Sequence, residues 1–329
     1  MSNLLVERGH DVRIFHPEGT PCEWMPCAAE VLPTERLRED AYDVALFNFA
    51  PQLEDARRAR ARVKLFYVLG LYQKELMVGW RRVLLLRGKF SRQALLRECL
   101  QGEFHLLCNS SWMQRWLAEN LSLESQLVLG GVDHDLFHPE AGPGPDGVAP
   151  RLLYSGDHRD DKGSDVIERA LATVRRRRSE LVVETYHGRG LSQPEIAAAY
   201  ARANVFVDAQ KSGGWNNPVI EAMACGAPVI CTDIGAVQDF AHHDKTALLV
   251  PVGDPSALAA AIERLLADPA LRARLRAAAI EAARRFQWSE AIDRFLEVVA
   301  GFVCNDDGDS LPRGAPRAGS IPDDPPFQG

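Results

Sequence analysis

Short apolar runs alternate with longer amphipathic stretches along most of this chain. In its first part, the runs that we expect to be strands are residues 11–15, 43–47, 63–68, 104–108 and 126–129. In its second part, the corresponding runs are residues 151–155, 181–185, 205–207, 229–231 and 248–250. Helix-type spacing fills the intervals between most of these runs. Strands that alternate with helices predict parallel sheets with helices on both faces.

A stretch rich in proline and glycine divides the chain into two such series. Residues 140–150 show no apolar periodicity and read as a linker. The sequence therefore predicts an N-terminal domain over residues 1–139 and a C-terminal domain over residues 151–303. The tail at residues 304–329 is rich in Pro, Gly and Asp, so we expect it to be disordered.

The N-terminal series begins in an unusual way. Residues 4–10 have the pattern of the last turns of a helix, with Gly9 in the place of a C-terminal cap. A first strand and a glycine-rich loop would ordinarily come before such a helix. We therefore expect an N-terminal domain that lacks its first strand, with a truncated start as the simplest cause.

Composition and charge exclude several classes of protein. The chain has 329 residues, of which 46% are hydrophobic and 25% charged, and its net charge is −7. That balance excludes a basic nucleic-acid binder, and no apolar run is long enough to span a bilayer. The seven cysteines are scattered and lack the spacing of a zinc site. A reducing, cytoplasmic location fits these features best.

Residues 80–92 mix basic and apolar side chains. Such a segment can lie on an anionic membrane surface, which would make the protein peripheral at the inner face of the membrane. An ordinary helix packed on the sheet is the alternative, and it is the favoured one.

The most informative segment is a predicted helix entry that precedes the strand at residues 229–231. Asn217 suits the N-cap, and Pro218 suits the first helical position. The N–H groups of Val219 and Ile220 would then point out of a helix end that favours phosphate. Glu221 follows in the first turn, where a carboxylate can hold the hydroxyls of a ribose. An ordinary capped helix is the alternative interpretation.

Three loops of the C-terminal domain should meet at the carboxyl ends of its strands, where ligands bind in open α/β sheets. The first cleft loop (residues 156–163) contains Arg159 and Lys162, which together would clamp a diphosphate. The second cleft loop (residues 213–217) leads into the helix just described. The third cleft loop (residues 232–236) contains a glycine that lets the backbone approach a ligand closely.

Five short motifs in this order resemble the family 4 (group 1) retaining glycosyltransferases of GT-B fold. Each motif is weak alone, but their order is specific. The motifs are Gly130 to Pro139; Gly156 with Lys162 and Gly163; Asn217 and Pro218 with Glu221 to Ala224; Asp233 with Gly235; and Leu248 to Pro251 with Gly253 to Pro255. The resemblance covers residues 127–299 well and the N-terminal part only in pattern.

The resemblance implies two Rossmann-like domains that face each other across a cleft. It implies transfer of a sugar from a nucleotide-sugar donor to a glycan or lipid-linked acceptor, with retention at the anomeric carbon. No cofactor and no essential metal are expected, and the nucleotide sugar is a co-substrate. Polysaccharide or glycoconjugate assembly is the expected setting.

The resemblance also implies roles for individual residues. The donor diphosphate would be bound by Gly156, Arg159, Lys162, Val219 and Ile220, and the ribose by Glu221. The donor sugar would face Gly213, Gly214, Trp215, Asn216 and Asn217. Gly235 and Ala236 of the third cleft loop would complete the site, and no catalytic residue is assigned.

The chain departs from the family pattern in three respects that bear on activity. The first of two glutamates spaced eight positions apart is replaced by Gly213, and the usual arginine of the first cleft loop is Asp157. No histidine lies near residues 68–70, where the family often has one. Two alternatives therefore stay open, namely a non-catalytic relative that binds a nucleotide sugar or a partner protein, and a sugar-phosphate enzyme such as an epimerase.

Overall fold

The computed structural model describes residues 1–22, 26–48, 53–70, 104–139 and 149–305. The strands are β1 (Arg13–His16), β2 (Glu30–Pro33), β3 (Tyr42–Phe47), β4 (Ala61–Val68), β5 (His105–Cys108), β6 (Gln126–Leu127), β7 (Arg151–Tyr154), β8 (Val182–Thr185), β9 (Val205–Asp208), β10 (Val229–Thr232) and β11 (Leu248–Val250). The α-helices are α1 (Ser2–Glu7), α2 (Leu53–Arg58), α3 (Ser111–Leu121), α4 (Ser164–Val174), α5 (Gln193–Arg202), α6 (Asn217–Ala224), α7 (Pro255–Ala267), α8 (Pro269–Ala283) and α9 (Trp288–Asn305). Two 3-10 helices span Thr34–Arg38 and Gly235–Val237.

The N-terminal strands form two parallel sheets. One has the order β3-β4-β5-β6, and the other is the pair β1-β2. Strand β4 is buried along most of its length, as expected for an inner strand covered on both faces. In the described part of the chain, no strand joins the two sheets. Strand β2 was not predicted, since its four residues include a proline and carry no alternating pattern.

The C-terminal strands form one five-stranded parallel sheet with the order β11-β10-β9-β7-β8. Helices α4 and α7 pack on one face, where Leu152, Val205 and Ile230 are fully buried. Helices α5, α6 and α8 contribute to the core on the other face around Tyr200 and Phe206. Strand order reverses at β7, and in open α/β sheets such a switch point is where ligands bind.

The last helix, α9, returns to the N-terminal domain. Its residues Phe295 and Val298 are buried in a cluster with Leu65 and Tyr67 of β4, and Arg8 forms an ion pair with Asp293. The amphipathic face of this helix, which the sequence placed at the end of the C-terminal domain, is thus covered by the N-terminal sheet. The predicted linker and tail lie mostly outside the described residues.

The two domains also touch directly between α3 and the third cleft loop. Trp112 lies so close to Gly235 that a Cβ built on this glycine would be 1.8 Å from the indole ring. The Ser111 amide donates a hydrogen bond to Asp239 over 2.9 Å, and Arg115 bonds to Gln238 over 3.1 Å. This contact joins the two domains on one side of the cleft.

We expect Gly235→Ala to loosen this contact, because the added methyl group overlaps the Trp112 ring. Overpacking of this kind costs roughly 1–3 kcal/mol. Thermal unfolding should show the loss, and the added substitution Trp112→Ala should recover part of it. Gly301→Ala is the matched control, since a Cβ at Gly301 would meet nothing within 4 Å. Equal melting temperatures for Gly235→Ala and Gly301→Ala would contradict this expectation.

Candidate functional site

Two glycines shape the first cleft loop. Gly156 and Gly163 have φ angles of 77° and 69°, a region that favours glycine. A Cβ on Gly163 would lie 2.0 Å from the carbonyl oxygen of Ala209. The loop can therefore lie directly against the chain that leaves β9. This close approach brings Lys162 beside residues at the carboxyl end of the central strand.

A cavity of about 170 Å³ opens between this loop and the start of α6. Its lining comes from three places, the first cleft loop with the start of α4, the end of β8, and the segment from β9 to α6. The lining residues are Ser155, Asp157, Arg159, Lys162, Ser164, Ile167, Tyr186, Val207, Asp208, Ala209, Gln210 and Pro218. Of the predicted diphosphate-binding residues, Arg159 and Lys162 thus line one cavity.

Lys162 is the cation best placed in this cavity. Its ammonium group donates a hydrogen bond to the side-chain oxygen of Gln210 over 3.2 Å, and Asp161 lies 3.9 Å away. The side chain is 25% exposed, so its charge is partly withdrawn from water yet open to the cavity. A cation held in this way retains hydrogen-bond donors for an anionic ligand.

Arg159 is engaged differently from its predicted role. Its guanidinium donates to both carboxylate oxygens of Asp157, at 2.9 and 2.7 Å to Oδ2 and 3.2 Å to Oδ1. This hydrogen bonding lowers the pKa of the buried Asp157 carboxyl to about 2. Since the positive charge of Arg159 is balanced by the Asp157 carboxylate, little of that positive charge is left to bind a diphosphate.

The helix entry begins one residue earlier than the sequence predicted. Asn216 is the N-cap, and its side chain accepts the Val219 amide over 3.4 Å. The Ile220 amide donates to the Asn216 carbonyl over 3.3 Å. The Val219 and Ile220 amides are therefore both buried and bonded in this structure, and their use for diphosphate stays a prediction. Among the described contacts, the Asn217 amide has no such partner and stays at the helix start.

Glu221 lies just beyond the first turn of α6, because the helix begins one residue earlier than predicted, and it is partly buried. Within the described residues its carboxylate makes no hydrogen bond, whereas its backbone carbonyl accepts the Cys225 amide. Burial raises the pKa of its carboxyl from 4.5 to about 7. A carboxylate that has lost water and gained no donor is well suited to accept hydroxyl groups from a ligand.

This pKa shift predicts a pH effect on stability. The folded pKa lies above the unfolded value, so the contribution of Glu221 is fully present below about pH 4.5 and is lost as the pH rises through about 7. The loss amounts to roughly 3 kcal/mol at most. Glu221→Gln should thus be more stable than the native chain at pH 8 and similar to it at pH 4.5. Melting curves at both pH values would check this, and a constant difference would contradict it.

The second cleft loop packs against the N-terminal domain. Gly214 is buried, and a Cβ there would lie 2.4 Å from the Leu69 carbonyl oxygen and 2.6 Å from the Asn109 side chain. Trp215 stacks edge to face on Phe240 and Phe286, with centroid distances of 5.0 and 5.5 Å. The indole therefore packs the loop and does not line the cavity. Gly213 lies nearer to the cavity, beside Gln210.

Gly235 and Ala236 of the third cleft loop are buried and do not line the cavity. Trp112 covers the glycine, so the glycine is needed for contact between the domains. The place of this loop beside a ligand stays a prediction.

Sequence reasoning missed three residues that line the cavity: Tyr186, Asp208 and Gln210. Asp208 and Gln210 stand directly at and after the end of the apolar strand β9, and both are buried. Polar residues at the carboxyl end of an inner parallel strand are a signal that could have found them.

Two negative findings, on metal ligands and on membrane spans, hold for the described ranges of the chain. No group of three or more His, Cys, Asp or Glu side chains there is placed to hold a metal ion. No helix there combines the length and apolar character that crossing a bilayer requires. The segment at residues 80–92, for which membrane contact was considered, lies outside the described residues.

Comparison with known proteins finds a family model that matches part of the chain. Residues 149–268 match the model of the glycosyl transferases group 1 family. These residues contain the cavity, the first cleft loop, α6 and Glu221. The resemblance to group 1 glycosyl transferases inferred from the motifs is thus confirmed over these residues.

Several curated relatives are D-inositol 3-phosphate glycosyltransferases of bacteria. A protein of this name from Catenulispora acidiphila is 37% identical over 32% of this chain and 25% of its own length. One from Thermomonospora curvata is 28% identical over 61% of this chain and 57% of its own length. The chain thus spans a quarter to somewhat over half of the length of these relatives. One from Pseudarthrobacter chlorophenolicus is 24% identical over 90% of this chain and 87% of its own length.

Solved structures confirm the predicted GT-B fold. Sucrose-phosphate synthase from Thermosynechococcus elongatus superposes with a TM-score of 0.70 over 92% of both chains, at 20% identity. The Anabaena protein HepE, solved with UDP-glucose, superposes with a TM-score of 0.59 over 79% of both chains, at 15% identity. At these identities the likeness concerns the fold alone.

Proposed function

We propose that this protein transfers a sugar from a nucleotide-sugar donor to a glycan or lipid-linked acceptor. The observation that carries the proposal is the cavity between the first cleft loop and α6. It combines Lys162 with a helix N-terminus, and Glu221 lies one turn further along that helix. The family match over the same residues supports this reading.

The arrangement suits a nucleoside diphosphate in three ways. The Lys162 ammonium can bind a phosphate oxygen, and the N-terminal end of α6 adds a favourable field for negative charge. Glu221 can accept hydrogen bonds from the two ribose hydroxyls. When the bond from the sugar to the diphosphate breaks, negative charge grows on the departing phosphate. Donors fixed beforehand at that place stabilise the transition state more than the ground state.

Retention at the anomeric carbon and independence from a metal ion are parts of the same proposal, and they rest on the family resemblance. The nucleotide sugar serves as co-substrate, and no resident cofactor is proposed. A cytoplasmic location also belongs to this proposal.

A panel of nucleotide sugars tests the proposal. The full chain is incubated with UDP-, GDP- and ADP-sugars, with and without sugar or inositol phosphate acceptors, and nucleotide release is measured. We expect release from one donor class that increases with a suitable acceptor. Tight donor binding without release would favour the non-catalytic relative, and release without sugar transfer would favour a sugar-phosphate enzyme. Absence of both binding and release would refute the proposal.

A further inference from the structure

Gln210 joins the parts of the candidate site. Its side-chain oxygen accepts the Lys162 ammonium over 3.2 Å, and its side-chain nitrogen donates to the Ser212 carbonyl at the start of the second cleft loop. Its backbone carbonyl accepts the Thr232 hydroxyl at the end of β10. The residue is 6% exposed and lines the cavity.

The backbone of Gln210 is held in turn by Asp208. The Gln210 amide donates to Asp208 Oδ1 over 3.1 Å. The same oxygen accepts the side-chain nitrogen of Asn216 over 2.9 Å. Because Asn216 caps α6, one buried carboxylate fixes both Gln210 and the helix start. The direction of the Gln210 side chain is thereby set relative to the helix end.

Because Gly213 has no side chain, the side-chain amide of Gln210 can lie directly against it. A Cβ built on Gly213 would lie 2.4 Å from the Gln210 side-chain nitrogen. Real Cβ atoms do not come so close to another atom, so a side chain at position 213 would displace the amide of Gln210. The glycine at position 213 and the amide at position 210 are therefore a matched pair. This pairing gives a local reason why the carboxylate expected at position 213 is missing.

We propose that Gln210 is the positioning residue for Lys162, and that Gly213 is a glycine so that the Gln210 amide can lie against the second cleft loop. The inference deepens the proposed function and rests on it. Gln210 holds the ammonium group at the mouth of the cavity, where the diphosphate would bind. Without this acceptor the lysine chain would sample more rotamers, and part of the binding energy would be spent on ordering it.

Calorimetric titration with UDP, GDP and ADP tests this inference on the full chain. With the nucleotide that the native chain binds best, we expect Gln210→Leu to lower affinity about tenfold. In a Lys162→Ala background the same substitution should change affinity less than about twofold. A purely structural role of Gln210 would lower affinity by similar factors in both backgrounds.

Gly213→Ala supplies a second test that does not remove a buried polar group. We expect about a fivefold loss of nucleotide affinity with little change in melting temperature, because the displaced atom ends a flexible side chain. In a Gln210→Ala background the loss should disappear, since the overlapping atom is gone. Gly301→Ala, where a Cβ meets nothing within 4 Å, is the control.

The outcomes separate this inference from the proposed function. If the native chain binds a nucleotide but Gln210→Leu and Gly213→Ala bind it equally well, the inference is overturned and the proposed function stands. Equal losses with and without Lys162 would overturn it in the same way. A native chain that binds none of the three nucleotides would overturn both.

Discussion

Lys162→Ala should weaken nucleotide binding more than any other single substitution in the cavity. The ammonium group faces the cavity with its hydrogen bond on the neutral Gln210 and with Asp161 only at 3.9 Å, whereas Arg159 is bonded to both carboxylate oxygens of Asp157. Hydrogen bonds to charged groups contribute roughly 1.5–3 kcal/mol, which corresponds to about a 10- to 100-fold change in affinity. Titration of the native and variant chains with UDP, GDP and ADP would measure this loss.

Lys211→Ala is the matched control for this substitution. Lys211 follows Gln210 in sequence, but its ammonium pairs with Asp165 over 3.1 Å and does not line the cavity. Its removal should leave affinity within about twofold of the native value, as expected for a surface ion pair. Similar losses in the two variants would show that only the overall positive charge matters.

Gly163→Ala should have the largest effect on stability. The substitution places a side chain at a φ of 69° and a Cβ 2.0 Å from the backbone oxygen of Ala209. Left-handed strain and overpacking together cost roughly 2–5 kcal/mol. The first cleft loop would have to move away from β9, so nucleotide affinity should fall along with the melting temperature.

Gly188→Ala separates the two causes of this loss. Gly188 has a φ of 70°, nearly the same as Gly163, but a Cβ there would meet nothing within 4 Å. Its substitution should cost about 1 kcal/mol from backbone strain alone and should not change nucleotide affinity. If both variants lose equal stability in thermal unfolding, the close approach to Ala209 is not what requires the glycine.

Much of the fold could be predicted because its signals are local. The apolar runs predicted most of the strands. The helix predicted to end near Gly9 is followed by this glycine, whose φ angle is 86°. Helix α3 has Ser110 as its N-cap, a residue type favoured there, and the Ser110 side chain accepts the Met113 amide. The parallel sheets follow from the alternation of these elements.

The contacts between distant segments could not be predicted in the same way. The sequence shows that α9 is amphipathic, but the N-terminal sheet that covers it lies more than 150 residues earlier. The glycine of the third cleft loop was read as an opening for a ligand, whereas Trp112 fills that space. A glycine in sequence indicates a close approach of another group to the backbone, but only the tertiary structure shows whether that group is a ligand or a side chain.

The candidate site was predicted in its location but not in all of its contacts. Lys162 lines the cavity from the first cleft loop, while Glu221 follows the first turn of α6 because the helix begins one residue earlier than predicted. Arg159 is a different case, since two residues separate it from Asp157 and the pairing depends on how the loop folds. The predicted N-cap of α6 was one residue too late, because Asn216 and Asn217 are equally good N-caps in sequence.

The most direct measurement is the structure of this chain with the nucleoside diphosphate that it binds best. We predict a phosphate oxygen within hydrogen-bond distance of the Lys162 ammonium and the ribose hydroxyls on the Glu221 carboxylate. A nucleotide bound elsewhere would contradict the central claim. One such place is a separate cavity of about 320 Å³, lined by residues that include Phe286, Glu290 and Arg294.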